Sequence, residues 1–511
     1  MSRFKKSTLL ILIFIFCSCS HKLGTDLRRE IVVGIEASPT SLDPRLARDA
    51  YSVQIIPLVF PGLFKIGENL EVEPDLVEKY FQIDKLSWQF ELKKGIRFAS
   101  GKELCAQDVV ATIKSLLLPG INSPYLELAQ KIKKIKILDK YKFQIQLYEP
   151  YAPFLVELCI GILPRKLAEK KELSPSELYG TGPYQLDKFL PGEKVVLKRN
   201  PYYSGQKPYF KRIIFRIIPD DTTRLLSLEK GEIQLVQNPI PPDEIERLKK
   251  NPRLKVWMRP GINYSYIGFN LKEPPLSNPL VRKAIAYAIN RDEIIKCLLK
   301  DTVIKANSLL SPRHWAYEPD VQEYNYNPEK AKQLLDQAGY PDPDGDGPKA
   351  RFHLVYKTSQ NQLRIWIAKA IAYQLGKVGI DVKVRSLEWG TLFSDIQAGN
   401  FQIYSLTWVG VVEPDIFYTV FHSKSIPPKG ANRGGYFNPL VDQLVEQARR
   451  INDRQKRKEL YSKVQKILAK DLPYISLWYS KDIVVCDKRL VDFRLGPAGE
   501  WTGLATARFQ Q

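Results

Sequence analysis

From Phe352 to Val384 the chain reads strand, helix, strand, and this stretch narrows the choice of fold more than any other. Phe352, Leu354 and Tyr356 alternate with polar residues; Leu363, Ile367, Ala370 and Ile371 recur along one helix face that ends near Gly379; Val382 and Val384 begin a second strand. Two strands joined through a helix pair in parallel, because a tight turn can only make an antiparallel connection. Parallel strands need cover on both faces, which predicts an α/β protein. The continuous apolar run Ile31-Val32-Val33-Gly34-Ile35 suits another strand buried on both faces. At 511 residues the chain is too long for one small core, so two or more lobes are expected.

Start signals elsewhere agree with this reading. Asn278-Pro279 and Asn327-Pro328 each supply a cap and a first-turn proline, the first for a helix with Val281, Ala284, Ile285 and Ala288 on one face, the second for Ala331, Leu334, Leu335 and Ala338, closed by Gly339. Trp88, Phe90 and Leu92 alternate as a strand, and Asp108 is expected to open a helix carrying Val109, Ile113, Leu116 and Leu117. Lys131 to Leu147 is very basic, but its isoleucines at 132, 135 and 137 and then Phe143, Ile145 and Leu147 read as a half-buried hairpin with lysines outward. No aromatic stacking platform accompanies that charge, so nucleic acid is not an expected partner.

The N-terminus carries Arg3, Lys5 and Lys6, an apolar run from Leu9 to Phe16, and then Cys17-Ser18-Cys19. The run is far shorter than the roughly 20 residues that span a bilayer, so it reads as an export signal, residues 1–18. Small Ser18 before Cys19 resembles a bacterial lipobox, which would make Cys19 the lipidated first residue of the mature chain; an ordinary secretory peptide is the alternative. Either way the protein is expected outside the cytoplasm. Composition, 44% hydrophobic and 26% charged with no second long apolar segment, is that of a globular protein and excludes a channel or transporter. The net charge of +21 suits either attraction to anionic headgroups or a lysine-solvated surface.

Catalytic and metal signatures are absent. The four histidines, at 21, 314, 353 and 422, have no ligand spacing, and there is no nucleophile elbow, phosphate-binding loop or dinucleotide fingerprint. Asp342-Pro-Asp344-Gly-Asp346-Gly347 has the first positions of a calcium loop, but His353 stands where a bidentate glutamate is required, and a polar turn is the expected role. Cys105, Cys159, Cys297 and Cys486 share no spacing pattern and read as buried free thiols, with one or two disulfides as the alternative. No enzyme, metal or cofactor is expected.

A series of phrases, in this order and at these distances, resembles one family. It comprises Ser41-Leu42-Asp43-Pro44; Gly62-Leu63-Phe64; Pro74-Asp75-Leu76; Trp88 to Phe98; Gly101-Lys102 with Ala106 to Val109; Gly180 to Tyr184; Asn200 to Tyr203; Val281 to Arg291; Ala331 to Leu335 with Ala338 to Tyr340; and Tyr436 to Asp442. The chain is similar, over almost its full mature length, to the family 5 extracellular solute-binding proteins of ABC importers, the dipeptide, oligopeptide and nickel group. The resemblance implies a two-lobed type II periplasmic-binding-protein fold with an extra subdomain in the first lobe. A linker at 19–28 would lead into lobe I, 29–265 and 482–511 with the insertion at about 66–178, and lobe II would be 266–481. It further implies a monomer that encloses a peptide or another small polar solute and delivers it to a membrane permease and its ATPase, held to the membrane by a lipid on Cys19. A signalling or chaperone-like module of the same fold, or a carrier of a non-peptide solute, remains the alternative.

In peptide-binding relatives an aspartate three residues after a tryptophan of the second lobe pairs with the ligand ammonium. Here the loop runs Thr407-Trp408-Val409-Gly410-Val411-Val412-Glu413-Pro414-Asp415, and position 411 is valine. A buried ammonium without a carboxylate costs several kcal/mol. Either Glu413 or Asp415 replaces the aspartate, or the ligand has no free amine; alternatively both acids cap the helix suggested by Ile416 to Phe421. The resemblance also places Ala47, Arg48 and Asp49 on one wall and Thr407 and Val409 beside Trp408 on the other. Arg48 could hold a ligand carboxylate or simply face solvent. Nickel binding in the family uses a chelate and histidine contacts, and this chain is poor in histidine.

Overall fold

Two strands far apart in the chain, Leu254–Phe269 and Tyr474–Asp487, run antiparallel along each other through the middle of an eleven-stranded sheet. The computed structural model describes residues 29–345 and 347–510; the leader, Cys19, the linker and Asp346 lie outside the described residues. Beyond Tyr474–Asp487 come, in order, Leu235–Gln237, Glu30–Ile35, Arg212–Ile217, Lys194–Arg199 and Tyr184–Leu190. Beyond Leu254–Phe269 come Ile403–Trp408, Phe352–Ser359 and Ile380–Leu387. Glu30–Ile35 lies parallel to both of its neighbours, and so does Phe352–Ser359. Each wing of the sheet therefore carries a three-stranded parallel set, the doubly covered α/β arrangement expected from the apolar runs. The helix Gln362–Gly376 makes the crossover between Phe352–Ser359 and Ile380–Leu387.

Burial follows the pattern of each segment. Ile31, Val33 and Ile35 are at most 1% exposed and pack with Phe215, Leu235 and Trp501 in the core of the first wing. Ile285, Leu335, Leu354, Tyr356 and Ile371 share a core in the second. Between Glu30–Ile35 and Tyr184–Leu190 the chain builds a separate four-stranded antiparallel sheet, in the order Val77–Gln82, Ser87–Leu92, Lys142–Leu147, Ile132–Ile137, around its own core of Phe90, Phe143, Ile145 and Phe154.

Local signals were obeyed with three departures. Asn278 and Asn327 do cap their helices, accepting from the amides of Leu280 and Lys330, both at 2.9 Å. The helix near Asp108 starts earlier, at Ala106; Asp108 is the third residue of the helix and its buried carboxylate reaches back to the Cys105 amide at 3.0 Å, a capping box that the bare cap rule misplaces by three residues. In the basic hairpin, Ile132–Ile137 is the outermost strand, so Ile135 is only half-buried and Ile137 exposed, while its partner strand buries Phe143, Ile145 and Leu147. The third departure is in the cysteines: only Cys486 is buried, Cys105 and Cys159 are half-buried and Cys297 is exposed, and all four are free thiols.

The two crossing strands lose register between Pro260 and Asn263, where the wings meet. Gly261 sits in this irregularity, and a Cβ there would stand 2.2 Å from the Ser480 carbonyl oxygen, so no other residue lets the strands approach so closely.

Candidate functional site

Parallel strands end where ligands bind in open α/β sheets, in the crevice beyond their carboxyl ends. Both parallel sets of this molecule point those ends at one cleft of about 600 Å³. Glu36 follows Glu30–Ile35 and Asn238 follows Leu235–Gln237 on one side; Val409 follows Ile403–Trp408, and Asn361 and Arg364 open the helix after Phe352–Ser359 on the other. The floor is made by the crossing strands themselves, through Asn263, Ser265, Ser480 and Lys481. The volume falls in the range that encloses a small ligand.

Polar groups on the walls fall into two kinds. Some are held in place: Ser265 and Thr407 hydroxyls lie 2.9 Å apart across paired strands, Asn263 accepts from the Gly410 amide at 2.9 Å, and Asp482 receives Arg259 at 2.9 Å. Asp221 is ion-paired with Arg224, whose terminal nitrogens also donate to the carbonyls of Ile218, Pro219 and Pro239. Others meet no partner. The carboxylate of Glu36 and the guanidinium of Arg364 take part in no hydrogen bond or ion pair with the described residues; Glu36 feels the charges of Arg224 and Asp221 and, more weakly, that of Arg364 across the cleft, and Arg364 feels Glu36. Burial raises the Glu36 carboxyl above the usual range and lowers Arg364 below its own, because both charges have lost water without gaining a contact. Tyr51, whose hydroxyl accepts from the Glu36 amide at 3.2 Å, is pushed up to about 12 by burial first and by Glu36 second.

The profile of the bacterial extracellular solute-binding proteins, family 5 Middle, matches residues 71–427. The chain belongs to that family. It is similar to the dipeptide-binding protein of Escherichia coli (strain K12), 30% identical over 506 residues that cover 92% of this chain and 93% of the relative. Among solved structures it is similar to the oligopeptide-binding protein AppA of Bacillus subtilis in complex with a nonapeptide, with a TM-score of 0.80, 28% identity and coverage of 94% and 99%. NikZ of Campylobacter jejuni in complex with Ni(L-His) matches with a TM-score of 0.82, 26% identity and coverage of 95% and 100%.

Within this solute-binding protein the expected site residues divide. Thr407 and Val409 line the cleft. Trp408, between them, takes the other side of the strand, where Arg433 stands 5.2 Å from its ring and its buried Nε1 has no hydrogen-bond partner among the described residues. Glu413 and Asp415 are not on the cleft walls. Glu413 is ion-paired with Arg457, and Asp415 lies 3.0 Å from Arg449, itself paired with Glu127 at 2.8 Å. In this structure each of the two acids expected to meet a ligand amine thus lies beside an arginine away from the cleft walls, and burial raises the Asp415 carboxyl to about 7. Nor does either side chain cap Ile416–Phe421. Val411 is buried in the second wing, 7% exposed.

The opposite wall shifts by a few residues. Ala47 is buried in the first-wing core, Arg48 is exposed and donates to the Asn122 carbonyl, and Asp49 caps the helix Ala50–Ile55. Burial opposes ionisation of Asp49, but hydrogen bonds from Ser52 and Thr40 outweigh it and hold its carboxyl below the usual range. The residues that reach the cleft are Ala50, Tyr51 and Gln54 of that helix. Glu36 and Arg364 were missed. The usable signal was position: an acid directly after a continuous apolar strand, and an arginine in the first turn of the crossover helix, both at strand ends.

No group of three or more His, Cys, Asp or Glu able to hold a metal occurs among the described residues, and no described helix is long and apolar enough to cross a membrane.

Proposed function

We propose that this protein is the substrate-binding component of an ABC importer, anchored outside the cytoplasm by a lipid on Cys19, which closes around a peptide or peptide-sized polar solute and presents it to a permease. The observation that carries the reading is the cleft itself: about 600 Å³, walled by the strand ends of two wings, floored by the strands that join them, and holding charges without partners. Such a site grips and releases; it contains no arrangement of nucleophile, base and oxyanion donors. In this reading the wings are lobes, 29–265 with 482–511 and 266–481, the first carrying the insertion at about 66–178. They close by rotation at the irregular crossing near Gly261, and ligand shifts the population toward the closed form.

The names of the relatives support a peptide as solute, and Arg364 supports a carboxylate at one end of it, since a desolvated guanidinium gains most from a bidentate partner. Thr407, Val409 and Tyr51 would then form walls along the ligand, with Trp408 holding the strand from behind. Native mass spectrometry of the chain from Ser20 onward, purified without refolding, tests the proposal. A set of peptide masses released on denaturation is expected. One discrete non-peptide mass would replace the peptide with another solute, and a chain that binds nothing in a subsequent thermal-shift screen of peptides and small polar solutes would sink the proposal.

A further inference from the structure

A ligand ammonium needs an anion inside the cleft, and the loop that would be expected to supply one does not: Val411 is apolar and Glu413 and Asp415 are engaged elsewhere. Three acids do line the cleft. Asp221 is held by Arg224 and Asp482 by Arg259. Glu36 alone of the three has a carboxylate with no hydrogen bond or ion pair to the described residues. Its backbone is fixed, because it directly follows the buried strand Glu30–Ile35 and its amide is tied to Tyr51. It faces Arg364 from the other wing.

We infer that Glu36 receives the ammonium group of the solute, so that a bound zwitterion runs from Glu36 on the first wing to Arg364 on the second. This rests on the reading of the cleft as a peptide site and adds to it the direction of the ligand and the residue that selects for a free amine. The charges fit. A carboxylate and a guanidinium that are both half-buried and do not touch are each improved by a ligand group of opposite sign, and the pair is worth more with both ligand ends in place than with either alone. Lys481 on the floor is a further cation lining the cleft without an ion pair to the described residues. The arrangement also explains why valine is tolerated at 411: the anion has moved across the cleft.

The test uses two pools of random peptides, two to five residues long, one with free amines and one N-acetylated, offered to the full mature chain. Bound peptides are identified by native mass spectrometry, and the best binder is then titrated calorimetrically in free, acetylated and C-amidated forms. For the wild-type protein, acetylation is expected to weaken binding tenfold or more. Glu36→Gln should weaken the free peptide by a similar factor and become indifferent to acetylation, while keeping its sensitivity to amidation, which reports Arg364; Glu36→Ala should behave alike. A Glu36→Gln protein that still prefers the free amine by tenfold overturns the assignment and leaves the peptide reading standing. If neither pool yields a bound peptide with the wild-type protein, the peptide reading itself falls and the assignment with it.

Discussion

Two regions between the wings, apart from the crossing strands, handle charge in opposite ways. In the cleft, Glu36 and Arg364 face each other without contact. Where the four-stranded insertion meets the second wing, ions are closely matched: Arg449 reaches both Glu127 and Asp415, Arg450 lies 3.9 Å from Glu149, Arg454 lies 2.7 Å from Glu71, and the Ala152 amide donates to the Arg449 carbonyl at 2.7 Å. Arg449 also covers the Tyr418 ring at 3.9 Å. Both contacts draw on the segment that starts at Thr407 and ends at Asp415. Its first residues face the cleft and its last anchor it to Arg449. The lesson is that an acid serves different ends according to whether an arginine reaches it: an ion with a partner fixes the contact, and an ion without one is available to a ligand.

The comparison can be broken most severely at Arg449. Replacing it with alanine strands Asp415 in a buried site, and removal of one member of a buried pair costs about 3–5 kcal/mol, so chemical denaturation should show a loss of that order with solute affinity changed far less. Arg364→Ala should do the reverse. A hydrogen bond to a charged group contributes about 1.5–3 kcal/mol, so affinity should drop by about tenfold or more in calorimetry, while the melting temperature holds or rises because a desolvated charge is gone. Equal stability losses in the two variants would erase the distinction between the contacts.

A smaller effect comes from Glu157, beside the insertion contact, which receives the Tyr151 hydroxyl at 2.5 Å. Burial first, and then the nearby Glu127 and Asp415, raise its carboxyl from 4.5 to about 7, so the folded protein binds a proton there that the unfolded chain has lost. Its contribution is fully present below about 4.5 and disappears as pH rises through 7; thermal stability should thus increase on acidification across that window, and Glu157→Gln should flatten the increase. A steeper slope in the variant would reverse the sign. Smallest of all, Arg48→Ala should alter stability by under about 0.5 kcal/mol and leave binding unchanged, since Arg48 is exposed and bonds only to the Asn122 carbonyl.

Much of the scaffold could be read from residue spacing because its causes are local. The period of two in Phe352–Ser359, the helical stripe after it and the two Asn-Pro caps depend on neighbours a few positions away, and each element formed where those neighbours required. Cys105 and Asp108 show the limit of that method, since a reciprocal cap shifts the first turn without changing the apolar stripe. The site was less legible because its causes are distant. Whether Asp415 faces a ligand or an arginine depends on Arg449 in another helix and Glu127 in the insertion, and no spacing rule connects the three. Arg48 and Asp49 were expected on the wall and Glu36 was passed over; the strand order, which sets Glu30–Ile35 between two parallel partners with its end at the cleft, is what singles out Glu36.

The second crossing strand also sets an order of events during synthesis. The first wing begins at Glu30, yet its strand Leu235–Gln237 pairs with Val484–Cys486, and its core around Ile31 and Phe215 is completed by Leu490, Leu495, Trp501 and Leu504. The second wing draws its own core largely from residues made earlier, with Leu472 to Trp478 among the last to join it. The half of the molecule that is translated first is therefore the half that finishes last, and a chain cut shortly before Leu490 would carry its damage at the opposite end of the sequence, in the wing that opens it.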